Sequence, residues 1–280
     1  MLRLGLGGPS GLSENQHSRV AGYANAQSID LDGTGDFVDT NYSNAALQTL
    51  QRNDFSFSMW VRAPYNTSFC FFGHSDTSGA LSGSFQVNFI YVNAGLQAVT
   101  GTGKSGNASW SQLFLLNNAK FGSGNANNWV HVVYVVKKGV DNSTNGSQEL
   151  FLDGSSVTTA ATKTKEFHEA TEVSSGHDGL AFGADMEASS AAQHMTGQID
   201  ECAIWNLALD ANAISEIYNS GAPNDLNVAG TNYTQSMVDG LQRYYRFEGS
   251  SQSDLETDHS GVGVNASLEG NPTASSETPS

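Results

Sequence analysis

Phe55-Ser-Phe-Ser-Met-Trp-Val-Arg62 decides the fold. Phe55, Phe57, Met59 and Val61 alternate with Ser56, Ser58, Trp60 and Arg62. Successive side chains of a β-strand point to opposite faces, so the octapeptide reads as a strand with one buried face. The same period recurs in Ser28-Ile-Asp-Leu-Asp32, Ser84-Phe-Gln-Val-Asn-Phe-Ile-Tyr-Val92, Gly95-Leu-Gln-Ala-Val99, Trp110-Ser-Gln-Leu-Phe-Leu-Leu116, Trp129-Val-His-Val-Val-Tyr-Val-Val136, Glu149-Leu-Phe-Leu152, Gly179-Leu-Ala-Phe182 and Ile199 to Trp205. Turn residues such as Asp32-Gly-Thr-Gly35 and Asp153-Gly154 separate the runs. Many short strands without alternating helices predict an all-β, antiparallel β-sandwich whose core lies between two sheets.

One short helix is expected. Asp210 is its N-cap, Leu209 and Ile214 form a hydrophobic staple, Ile217 and Tyr218 share the buried face, and Gly221 with Pro223 ends it. The expected organisation is an N-terminal arm over 1–27, a sandwich over 28–221, a polar connector over 222–240, and C-terminal strands and tail over 241–280. Those last strands either complete this sandwich or exchange with a neighbouring chain. An isolated strand pair is marginal in water, which favours completion.

Composition excludes several functions. Among 280 residues, 12 Lys and Arg face 28 Asp and Glu, a net charge of −16. No basic stripe exists to neutralise phosphates, so nucleic acid is not an expected partner. Charged residues make up only 14%, against roughly 25% in an average domain, so Ser, Thr, Asn, Gln and Gly must carry solubility. No run of about 18 apolar residues exists to cross a membrane. Met1-Leu-Arg-Leu-Gly-Leu-Gly-Gly-Pro9 lacks the apolar stretch of a signal peptide. Cys70 and Cys202 lie in apolar runs and read as buried thiols. Gly-x-Ser-x-Gly, His-Glu-x-x-His, phosphate-loop and Cys-x-x-Cys motifs are missing, as is a strand-borne pair of glycosidase carboxylates, so an enzyme is not expected.

Five blocks, taken in order, resemble the laminin G-like branch of the concanavalin A-like lectin/glucanase jelly rolls. They are Ser28-Ile-Asp-Leu-Asp-Gly-Thr-Gly-Asp-Phe-Val38, the 55–62 strand, Trp129-Val-His-Val-Val-Tyr134, Glu149-Leu-Phe-Leu-Asp-Gly154, and Gly197-Gln-Ile-Asp-Glu-Cys-Ala-Ile-Trp-Asn206 leading into the helix. In such modules a Tyr-Trp-Arg-Phe-Asp/Glu strand and an Asp-Ser-Ser-Gly-Asn turn come early. Here Tyr244-Tyr-Arg-Phe-Glu248 and Asp258-His-Ser-Gly261 follow the helix, a permuted order.

Alternation breaks at Ile199 and Cys202, both apolar but three apart, which predicts a β-bulge at Asp200-Glu201. The resemblance implies that an Asp in this position holds a structural Ca²⁺, with backbone carbonyls near Gln27, Phe247 and Glu248 as partners; the plain alternative is an Asp that caps the bulge. Asp30, Asp32, Asp36 and Asp39 surround a glycine-rich turn and are read first as turn formers. His131 is read as a packed strand residue. Rim candidates for stacking on a sugar ring or bonding its hydroxyls are Tyr65, Asn66, Tyr91, Asn93 and Trp110.

The chain resembles the broad branch found in bacterial, marine and bacteriophage proteins, virion proteins among them. This resemblance implies a non-catalytic virion surface protein, such as a capsid decoration, fibre or tail component. Its expected partners are other virion proteins, further copies of itself in a homo-oligomer, and a host glycan. The alternative is an extracellular, Ca²⁺-dependent carbohydrate-binding lectin module.

Overall fold

A computed structural model describes residues 23–51, 53–64, 70–74, 85–92, 95–104, 107–116, 120, 123–137, 147–157, 161–163, 179–187 and 190–280. The main sheet runs in the order Ser155–Ser156, Ser147–Leu152, Trp129–Lys137, Phe55–Arg62, Thr196–Trp205, Ser28–Asp32 and Thr273–Ser275. Its centre is the strand over 55–62. Met59 opposes Val132, Trp60 opposes His131, and Val61 opposes Ile199. The second sheet runs Ser190–Ala192, Asp185–Glu187, Phe72–His74, Ala181–Phe182, Phe37–Asp39 and Ser267–Glu269. A third joins Ala161–Lys163, Asn107–Leu116, Gly95–Lys104 and Phe85–Val92. Pairing is antiparallel apart from Asp185–Glu187, which runs parallel to Phe72–His74.

The core forms where the main and second sheets face each other. Phe57, Met59, Val132, Ile199 and Ile204 from one sheet cluster with Val38, Phe72 and Phe182 from the other. Phe57 and Met59 are each 3% exposed and Val132 2%. Burying a side chain of this size contributes about 1.5–3 kcal/mol.

The expectation of a single buried face on 55–62 is corrected by the structure. Ser56, Ser58 and Trp60 are buried as well. The helix Ala211–Tyr218 and the segment after it cover the outer face of the main sheet, where Val133, Phe151, Trp205, Ile214, Ile217, Leu226, Tyr233 and Tyr244 form a second cluster. The stretch over 222–240 is therefore more than a polar connector. Tyr233 Oη accepts from Trp205 Nε1 at 3.1 Å and donates to the Leu226 carbonyl at 2.9 Å.

The helix starts as expected, with Asp210 accepting from the Asn212 and Ala213 amides at 2.9 Å. Its end differs, because Asn219 and Ser220 take the left-handed conformation ahead of Gly221. It is also not the single helix expected. Among the described residues helices form at Asn44–Gln51, Gln235–Asp239 and Gln252–Leu255. The last two are too short for apolar periodicity to reveal them. Cys70 and Cys202 are buried as thiols and form no bridge.

The C-terminal strands pair within their own chain, in both facing sheets. Leu241–Tyr245 pairs with Thr196–Trp205, Ser267–Glu269 with Phe37–Asp39, and Thr273–Ser275 with Ser28–Asp32.

Candidate functional site

Between Asp200 and Ala203 the register against 55–62 slips, so Glu201 and Cys202 together oppose Met59. Glu201 takes φ 49°, and the slip sets two adjacent carboxylates under cover: Asp200 is 0% exposed and Glu201 3%. Asp200 Oδ1 accepts from the Glu201 amide at 2.8 Å. Asp200 Oδ2 is buried without a hydrogen bond. The Asn25 amide lies against this carboxylate, yet neither of its polar atoms meets a partner in hydrogen-bond geometry. Glu201 accepts from the Tyr244 hydroxyl and lies 3.6 Å from Arg246 Nε. Burial raises the Asp200 carboxyl well above the usual range, and the Glu201 charge adds to the effect. Burial pushes Glu201 up to about 7 against the lowering pull of Tyr23, Tyr244 and Arg246.

Of the residues expected around Asp200, Gln27 and Glu248 bond through their side chains. Glu248 Oε1 accepts the amides of Ala26 at 2.6 Å and Gln27 at 3.4 Å, and Gln27 Oε1 accepts the Gly249 amide at 3.0 Å. Both side chains thereby join the 23–27 segment to the turn after the 241–245 strand. Phe247, fully buried, takes φ 55° within that turn. Asn25, Glu201, Tyr23, Tyr244 and Arg246 complete the site and were not singled out from sequence. Glu201 was reachable, being half of the bulge dipeptide. Asn25 carries no local signal at all.

Among the described residues no group of three His, Cys, Asp or Glu side chains forms a metal cluster. A cation here would rest on Asp200, an amide oxygen and carbonyls, the donor set of a hard oxygen-loving ion. The unused Asp200 and Asn25 atoms, beside a buried Glu201 whose ion pair goes to Arg246, fit such an ion.

A second feature lies where the C-terminal strand meets the 28–32 strand. Asp30, Asp32, Thr34, Asp36, Asn271 and Thr273 line a polar cleft of about 360 Å³. Its walls are fixed by the turn-forming role read for the aspartates. Asp32 accepts from the Thr34 amide and hydroxyl, both at 2.7 Å. Asp36 accepts from the Asp32 amide at 3.1 Å and the Asn271 amide at 2.9 Å. Asp39 Oδ1 takes the Asn41 amide at 2.8 Å. Gly270 sits at φ 90° with no room for a Cβ, which would fall 2.3 Å from Asp36 Oδ1. Asp30 accepts from Gln198, which in turn accepts from Arg62.

The sequence model of the Concanavalin A-like lectin/glucanases superfamily matches residues 32–215. The chain belongs to this superfamily. Three solved structures are similar to the chain. A Bacteroides ovatus protein proposed to bind carbohydrate superposes with a TM-score of 0.53 at 14% identity, over 91% of this chain and 61% of its own length. A heptameric SAP-like pentraxin from Limulus polyphemus gives 0.44 at 13% identity, over 69% and 82% of the two chains. The CBM40 of the Ruminococcus gnavus IT-sialidase, bound to α2,3-sialyllactose, gives 0.44 at 13%, over 69% and 96%. No curated protein matches the chain.

In this lectin/glucanase-type sandwich the rim candidates are only partly described. Tyr65, Asn66 and Asn93 lie outside the described residues. Tyr91 lies one position from the end of the strand Phe85–Val92, opposite Leu96. Trp110 lies within Asn107–Leu116, opposite Gly101. His131 is 2% exposed and packed as a strand residue.

Proposed function

We propose that the chain is a non-catalytic recognition module that binds a neutral glycan through the cleft at Asp30, Asp32 and Thr273, with a structural Ca²⁺ at Asp200. The observation that carries the glycan reading is the cleft itself: a recess of about 360 Å³ lined by carboxylate, amide and hydroxyl groups, on a lectin-like fold. Sugar hydroxyls both donate and accept, and carboxylates matched with amides and hydroxyls serve both roles. A net charge of −16 and the cleft aspartates disfavour anionic sugars.

Of the two settings expected from sequence, the carbohydrate-binding module is the primary one, since the family and the cleft both support it. A virion surface protein could use the same module on a host glycan, and co-assembly with a capsid or tail protein would test that setting.

In the Ca²⁺ reading, Asp200 and the Asn25 amide oxygen hold the ion, with carbonyls of the 247–248 turn available beside them. The ion would supply positive charge to a buried carboxylate pair. The glycan reading is tested with the purified chain on an array of neutral and acidic glycans, followed by calorimetry. Neutral-glycan binding weakened at least tenfold in Asp30→Ala is the expected result. Binding that survives Asp30→Ala and Thr273→Ala together would move the site elsewhere.

A further inference from the structure

The segment over 23–27 belongs to no strand or helix. Its hold on the sandwich is concentrated at Glu201 and the turn over 244–249. Arg246 donates to the Ala24 carbonyl at 2.6 Å and lies 4.3 Å over the Tyr23 ring. Glu248 takes two of the segment's amides, and Gln27 returns a bond to Gly249. Tyr23 Oη meets Tyr244 Oη at 3.4 Å, beside Glu201.

This docking closes over buried atoms without a hydrogen bond, Glu201 Oε1 keeping only its ion pair to Arg246. Asp200 Oδ2, Glu201 Oε1 and both polar atoms of the Asn25 amide are buried without hydrogen bonds. Leaving a buried polar group unsatisfied costs stability, and a charged one costs more. Lifting the segment would return these groups to water. A cation bound to Asp200 would remove the same cost with the segment still docked.

We infer that the 23–27 segment is a cation-controlled latch: Asn25 lends its amide oxygen to the ion held by Asp200, so ion binding and docking of the segment are one linked equilibrium. The inference rests on the Ca²⁺ reading proposed above and adds to it a moving part. A ligand shifts a two-state equilibrium by its differential affinity for the two states, and the closed state alone presents Asn25.

The experiment uses the full chain, with hydrogen–deuterium exchange of peptides spanning 23–28 measured in EDTA and in CaCl₂, and Ca²⁺ affinity by calorimetry. In the wild type, Ca²⁺ is expected to slow exchange across 23–27. Asn25→Ala should weaken Ca²⁺ binding about tenfold, the value of roughly 1.4 kcal/mol, and abolish the exchange response. Asn25→Asp keeps an oxygen donor and should restore both. A wild type that takes up no Ca²⁺ overturns the ion reading and the latch with it. If Ca²⁺ binds and Asp200→Asn abolishes it, while Asn25→Ala keeps wild-type affinity and exchange at 23–27 ignores the ion, the site stands and the latch alone falls.

Discussion

His131 has the atoms of a catalytic base. Its Nε2 lies 2.8 Å from Ser58 Oγ, the contact of a nucleophile with its activator. Burial decides otherwise, since both residues are at most 2% exposed and the imidazole packs at a tilt against Trp60 at 4.9 Å and stacks with Tyr218 at 5.9 Å. No substrate reaches this pair, and the ring is part of the outer core. Burial lowers its pKa from 6.5 to about 3, so it is neutral in the fold. The unfolded chain takes up the proton first as pH falls. Stability from this residue is therefore complete above about 6.5 and is lost as pH falls toward about 3. By pH 4 the loss is about 3 kcal/mol. His131→Gln cannot titrate and should gain on the wild type by that amount between pH 7 and pH 4 in urea unfolding. Parallel pH profiles for the two proteins would mean that the imidazole is not neutral in the fold.

The elements show which parts of the fold local sequence can specify. The strand over 55–62 has the bounds its alternation predicts, because a strand's period is written into adjacent residues. Its second buried face was not legible, because Ser58 and Trp60 are covered by Tyr218 and its helix, more than 150 residues on in the chain. The bulge at Asp200 was legible from two apolar residues out of phase. Asn25 was not, since its role comes only from chain ends meeting in space. The same holds for the C-terminal strand, which turns between sheets at Gly270-Asn-Pro272 and pairs Thr273, Ala274 and Ser275 with Asp30, Ile29 and Ser28. Ser28 Oγ adds a bond to the Glu277 carbonyl at 2.7 Å. The tail therefore covers the hydrogen-bonding edge of the 28–32 strand. An uncovered edge is a template for another chain. Deleting residues 270–280 should lower the melting temperature and shift the protein to larger species in light scattering. A truncated chain of unchanged size and melting would show that this edge needs no cover.

At the scale of the whole molecule, charge sorts the partners that the cleft can accept. The chain carries an excess of acidic over basic groups, and the recess itself carries Asp30, Asp32 and Asp36, so an approaching carboxylate meets like charge both at long range and on contact. The long-range part is screened within about 8 Å at physiological ionic strength and within about 3 Å at 1 M. Hydrogen bonds from hydroxyls to the cleft are far less sensitive to salt. A neutral oligosaccharide should accordingly bind with an affinity that changes less than about twofold between 0.05 and 1 M NaCl, a range over which the Debye length falls several-fold. A sialylated version of the same oligosaccharide should bind more weakly at low salt and recover part of the difference as salt rises. Calorimetry of the matched pair across that series separates the two outcomes. Tighter binding of the sialylated glycan at low salt would place recognition away from the aspartate cleft, on a surface where some of the 12 basic residues gather.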